Sequence, residues 1–246
     1  MSIFLTMFFT GILLGFTGAG GAGFMISILV TFFNIPIHTA LATAMAAMFL
    51  TVVSGAFSHF REGNLELRSG IVAGLFGAAA AYAGTQVAHH IPGEQLIVFT
   101  AAMLLLSALI LWLRTRWKLT ESDTELTEVR SWRLKSAGIG LATGGMSGLF
   151  GVGSAPFIQV GLLIFLRKSL KIAAGTTMLI ILPTALFASI GYYQSGHLDP
   201  NLLAKVVSGS MIGSYIGAKF TKHAPVSVLR IFMISAPLLS GLLLLF

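Results

Sequence analysis

Residues 15–24 read GFTGAGGAGF, with five glycines in ten positions. They interrupt an apolar run that extends from Met1 to Phe33. A helix of roughly 30 residues would be about 45 Å long at 1.5 Å per residue, against a hydrocarbon core of about 30 Å. The run is too long for one simple span, and the glycines mark where it breaks. Lipid offers the freed backbone no hydrogen-bond partners. Such chain is tolerated only where protein buries it or water reaches it.

Outward from this stretch the chain stays apolar. Hydrophobic residues make up 56% of it and charged residues 9%, with a mean hydropathy of +0.91. Soluble domains carry about a quarter charged residues. The composition therefore predicts an all-α integral membrane protein. There are no cysteines, which excludes disulfides, thiol catalysis and iron–sulfur clusters. The net charge of +7 is read as basic residues gathered at a cytoplasmic face, with no nucleic acid partner. The N-terminus MSIFLTMFFTGILL lacks a basic leader and a small-residue cleavage site, so it is read as mature chain.

Apolar runs of spanning length lie at 39–58, 69–88, 94–113, 172–193, 200–219 and 226–246. A second over-long run, 137–166, is also broken by glycine. The two halves match without a gap at an offset of 133. Gly15, Gly18, Gly20, Ala22 and Phe24 fall on Gly148, Gly151, Gly153, Ala155 and Phe157. Thr43, Gly63, Tyr82, His90 and Pro92 fall on Thr176, Gly196, Tyr215, His223 and Pro225. About a quarter of the positions in 11–113 are identical to their partners. Repeats of this kind in a membrane protein point to transporter folds. The expected organisation is a first repeat over 1–113, a cytoplasmic linker over 114–136 and a second repeat over 137–246. The linker stretch RTRWKLTESDTELTEVRSWRLK, residues 114–135, holds six basic and four acidic residues.

Charge decides the topology. If each long run crosses once, the two halves share an orientation and Lys and Arg divide nine against six. If each run instead turns back, as a re-entrant hairpin or two short spans, the halves are inverted. Arg61, Arg68, the six linker charges, Arg167, Lys168, Lys171, Lys219, Lys222 and Arg230 then share one face, and Lys205 alone lies on the other. Fourteen against one is the strong bias expected of a cytoplasmic face. The predicted fold is thus two inverted repeats, each a glycine-broken half-helix pair plus three transmembrane helices. The predicted protein is multi-pass in the inner cell membrane, with both termini outside the cytoplasm.

The break then acquires a use. The helix after each glycine stretch begins near Ala22 and near Ala155. Its first N–H groups lack intrahelical partners, and its dipole is positive at that end. Such an end binds anions without a charged side chain, and glycine allows close approach. Two of them, brought together by an inverted repeat, make a midplane site for a small oxyanion. The packing reading, in which glycines only let helices approach, fits Gly70, Gly74 and Gly77. Repetition inside both over-long runs favours the anion site for the others. The expected substrate-binding residues are Gly18, Gly20, Gly21, Ala22 and Thr43 in the first half. In the second they are Gly151, Gly153, Ser154, Ala155, Gln159, Thr176 and Thr177. The threonine hydroxyls either donate to the anion or bond back to their own helices.

GAGGAGF and GVGSAPF, each followed by an apolar half-helix and an A-x-x-T segment, resemble the TauE/SafE sulfite-exporter family. That family has duplicated halves and a signature of the form G-x-G-G-G-x-x-x-x-P in each. The resemblance covers the whole chain. It implies a permease for sulfite, organosulfonates or related sulfur oxyanions. Ala22 stands for the third clustered glycine, and Ser154 and Ala155 for two glycines of the second copy. Ser27 and Val160 stand at the signature proline. The family's G-T-S reads Ala42-Thr43-Ala44 and Gly175-Thr176-Thr177.

Two other readings compete with transport. GGMSGLFG at 144–151 resembles the G-x-S-G of rhomboid intramembrane proteases, with Ser147 as nucleophile. Leu14 occupies the matching position in the first half, and no later histidine falls mid-helix, so no enzyme is expected. The third reading is a membrane assembly protein without transport. The six histidines lie near span ends without metal-site spacing and are read as interfacial. No metal or cofactor is expected. The expected partners are the small anion and the lipid bilayer, with homo-oligomerisation left open.

Overall fold

A computed structural model describes residues 2–17, 22–61, 63, 65–116, 131–151, 154–221 and 226–245. Among the described residues the chain forms ten helices. They are α1 (Ile3–Thr17), α2 (Ala22–Phe33), α3 (Ile37–Arg61), α4 (Leu67–His90), α5 (Gly93–Arg116), α6 (Trp132–Phe150), α7 (Ala155–Phe165), α8 (Leu170–Gln194), α9 (Pro200–Thr221) and α10 (Val226–Leu245). The stretches Leu67–His90, Gly93–Leu113 and Ile172–Gln194 are long and apolar enough to cross a membrane. Both α5 and α6 extend into the polar stretch between the halves.

The helix starts at 22, 37, 67 and 93 reappear, 133 residues later, at 155, 170, 200 and 226. The turns correspond as well. Asn34 and Arg167 both take a left-handed φ, 50° and 51°. After each, the next N–H bonds back across the helix end, Ile35 to Leu29 O at 3.0 Å and Lys168 to Leu162 O at 3.2 Å. Such a left-handed residue is a common way to close a helix C-terminus. Gly63 and Gly196, at φ 70° and 75°, turn α3 into α4 and α8 into α9.

Packing runs inside out relative to a soluble protein. On α4 the buried face is Ser69, Gly70, Ala73, Gly74, Gly77, Ala78, Ala81 and Gly84. Leu67, Ile71, Leu75, Phe76 and Val87 point outward. Lipid is as apolar as leucine, so large side chains gain little by leaving it. Small residues let backbones come close. A Cβ on Gly140, Gly144 or Gly148 of α6 would strike the carbonyl oxygen of Ala73, Gly77 or Ala81 of α4. The repeat-equivalent contact, also between the halves, joins α1 and α9, where a Cβ on Gly11 would come within 2.5 Å of Ser210 O.

These registers fix directions. Residues 73, 77 and 81 meet 140, 144 and 148, so α4 and α6 run the same way. Gly70 meets Thr176 and Leu179, Gly74 meets Ile180 and Pro183, and Thr85 meets Gly191, so α8 runs with them. At the start of α3, His38 Nε2 lies 3.1 Å from Ala88 O near the end of α4, so α3 runs against α4 and α8. Lys135 Nζ, in the first turn of α6, donates to Phe165 O at the end of α7 at 3.4 Å. The pair α6–α7 therefore folds back on itself.

Candidate functional site

The turn of that hairpin is built by two backbone choices. Gly151 closes α6 in the left-handed region at φ 61°, its N–H donating to Ser147 O at 2.8 Å. A Cβ there would strike Leu41 Cδ2 and come within 3.1 Å of Ile26 Cδ1. Space and φ together require glycine. Ser154 precedes α7 at the N-cap, and its carbonyl accepts from Ile158 N at 2.8 Å. Its side chain makes no cap bond, and the hydroxyl is buried without a partner. Most buried hydroxyls are bonded, so this one calls for an explanation. Pro156 removes one donor from the first turn, and the N–H groups of Ala155 and Phe157 lie in that turn, where the helix itself supplies no partner.

The turn is held from several sides. Tyr192 of α8, fully buried, donates its hydroxyl to Gly148 O at 2.8 Å. Thr100 of α5 donates to Phe150 O at 3.3 Å. Ser147 donates to Met45 Sδ of α3 at 3.8 Å, and no histidine bonds it among the described residues. None of the residues named around this turn carries a charge; the helix ends that meet there are the C-terminus of α6, with its partial negative charge, and the N-terminus of α7, with its partial positive charge.

The sequence points to a midplane site, and the helices give the turn's level along α4. The register of α6 on α4 sets Gly151 level with about residue 84, roughly 8 Å beyond the middle of the 24-residue α4. The cause is the length of α6. It takes in Trp132 to Ser136 from the polar stretch and reaches 19 residues, against 11 for α7.

Of the expected residues, Gly151, Ser154 and Ala155 come together at this turn. Gln159 follows on α7, half-buried. Gly153 lies outside the described residues, as do Gly18, Gly20 and Gly21 of the first half. Ala22 is buried at the start of α2. Thr43 and Thr177 are fully buried and donate to Thr39 O and Ala173 O, at 2.8 and 2.7 Å. Leu41 and Met45 touch the α6–α7 hairpin; Thr43, two residues from each, leaves α3 about 200° around the helix. Thr176 stands at the other end of α4, its Oγ1 accepting from Glu66 N at 3.1 Å. There Glu66 Oε1 pairs with Lys168 Nζ at 2.7 Å and Glu66 Oε2 accepts from Ser69 Oγ at 2.7 Å.

Sequence reasoning missed Tyr192, whose partner position in the first half is His59, so the repeat gave no signal. It also missed a cluster at the turn's end of the molecule. His89 Nδ1 lies 2.9 Å from His197 Nε2, and the His38 ring stacks on His197 at 4.8 Å between centroids. Residues 89 and 197 are far apart in sequence, in different halves.

Comparison with known proteins places the chain among membrane transporters. The profile of the family described as Sulfite exporter TauE/SafE matches residues 3–244. The chain is 46% identical over its full length, and that of the relative, to a probable membrane transporter protein, YdhB, of Bacillus subtilis (strain 168). It is 25% identical to the probable membrane transporter protein YjnA of the same strain, covering 98% of each chain. A probable membrane transporter protein of Xylella fastidiosa (strain 9a5c) is 24% identical over 84% of this chain and 79% of its own. No solved structure matches.

Proposed function

Because the chain belongs to the sulfite exporter TauE/SafE family, as a membrane transporter, we propose that its cargo is a small sulfur oxyanion, sulfite or an organosulfonate. The anion is held where the chain turns back, by the first-turn N–H groups of α7 and the Ser154 hydroxyl. The first half supplies the matching turn at Gly18, Gly20, Gly21 and Ala22. The observation that carries this reading is the buried, unpartnered Ser154 hydroxyl at a helix N-terminus. It is a donor kept dry, beside backbone donors, with no protein acceptor. Gly153 and Gln159 remain candidate ligands from the sequence. Thr43 and Thr177 donate back to their own helices, and Thr176 accepts from Glu66 N at the far end of α4, so the anion is assigned to none of them.

The halves are inverted repeats. Supporting this, α3 and α8 are equivalent by position and run in opposite directions, and the hairpin α6–α7 replaces a single crossing. Arg61, Arg68, Lys135, Arg167 and Lys168 then sit at the cytoplasmic end and Lys205 at the other, with both termini outside. Inversion delivers the two turns from opposite faces, which suits alternating access. Counterflow in proteoliposomes tests the cargo. Sulfite, thiosulfate or a small sulfonate should exchange. A folded protein that exchanges none of them, nor sulfate, contradicts the reading.

A further inference from the structure

The three clustered histidines connect to the turn through one short path. The His197 backbone N–H donates to the Tyr192 backbone carbonyl at 3.0 Å, and the Tyr192 hydroxyl donates to Gly148 O. His38 lies three residues before Leu41, the side chain that abuts Gly151. The cluster joins α3 and α4 of one half to the α8–α9 loop of the other. Among the described residues no group is arranged to hold a metal. The cluster therefore calls for another reading.

We propose that His38, His89 and His197 form a proton-binding site that latches the α6–α7 turn, so that protons and the anion bind there cooperatively. The contact of His89 Nδ1 with His197 Nε2 needs one nitrogen to be unprotonated, because two N–H groups cannot bond each other. A second proton breaks that bond and places like charges on two rings 5.1 Å apart between centroids. The surroundings do not absorb this charge. His90 of α4 is turned to Gln86 O at 2.8 Å, and its ring meets His89 edge-on. Asp199, two residues past His197, accepts from Asn201 N at 2.8 Å and Leu202 N at 3.3 Å, capping α9. Glu94 begins α5 nearby in sequence and is exposed.

His197 lies in a loop outside the spans, and burial first, then His38 and His89, lowers its pKa below the usual 6.5. The closed cluster thus favours the neutral ring. Opening takes up a proton, and is favoured as the pH falls below the ordinary histidine range. Release of His197 frees the end of α8 that carries Tyr192, and with it the hold on Gly148. The positive rings then face the anion bound at the turn. By linkage each ligand favours the other.

The chain has no cysteine, so two spin labels can be placed freely. Gln95→Cys and Asn201→Cys report on the two sides of the latch, in a bilayer without anion. The inter-label distance should lengthen between about pH 8 and about pH 5, the window around the histidine range. The lengthening should vanish in His89→Gln with His197→Asn, and shrink in either variant alone, which serves if the double variant fails to fold. An unchanged distance, or lengthening that survives these substitutions, overturns the proposal. The anion coupling rests on the proposed function, but these distances are read without anion and stand or fall apart from it. Sulfate, a dianion throughout this range, should bind more tightly at the lower pH; equal or absent binding removes the coupling and leaves the latch to the distances.

Discussion

A buried hydroxyl bonded to nothing destabilises a folded chain by about 1–3 kcal/mol. Ser154, 2% exposed, is such a group. If its role is to meet an anion, Ser154→Ala should separate stability from function. The empty protein should unfold at the same temperature or higher. Half-saturation by the transported anion should rise about tenfold, the loss of one hydrogen bond to a charge at about 1.5 kcal/mol. Equal affinity in both proteins would show that the hydroxyl is not a ligand. Gly151→Ala acts on the same turn by another route. Its φ of 61° and the blocked space against Leu41 predict a loss of about 2 kcal/mol, read as a lower unfolding temperature. The glycines were legible in sequence because they repeat. Thr43 and Thr176 repeat too, yet Thr43 donates back to its own helix and Thr176 accepts from Glu66 N, so repetition alone could not separate a ligand from a backbone bond.

Between elements, α4 and α6 lie so close that a Cβ on Gly140, Gly144 or Gly148 would strike a carbonyl oxygen of α4. Gly144→Leu should drive these helices apart, because the added Cβ meets the Gly77 carbonyl, which has no rotamer to move. Gly138→Ala, six residues earlier, meets nothing within 4 Å. It should be neutral or stabilising by up to about 1 kcal/mol, the helix preference of alanine over glycine. Detergent-solubilised yield and thermal unfolding compare the two variants. If Gly144→Leu folds as well as Gly138→Ala, the packing described for α4 and α6 is wrong. Helix existence was legible at this scale, since apolar length marks a span. The length of α6 was not. Trp132 to Ser136 lie in a polar stretch, and the helix continues through them, carrying the turn past the middle of α4. The histidine cluster was hidden for a related reason: it joins residues 38, 89 and 197, which no local pattern connects.

Across the whole molecule, the charge count and the helix directions are independent arguments for the same topology. One uses only where Lys and Arg fall; the other uses only which residues touch. Reporter fusions test it. A phosphatase at Phe246 should be active and a fluorescent protein there dark, while an insertion in the 117–130 stretch should give the reverse. A cytoplasmic C-terminus contradicts the inverted arrangement. The central claim, that a sulfur oxyanion is held by backbone at the glycine turns, is tested most directly by counterflow of radiolabelled sulfite. Wild-type protein, Gly20→Val and Gly153→Val would be compared in proteoliposomes at matched, folded protein content. Wild type should accumulate label and both valine variants should not, because the added side chain denies the anion its approach to the N–H groups. Undiminished exchange in either variant would contradict the claim at that turn.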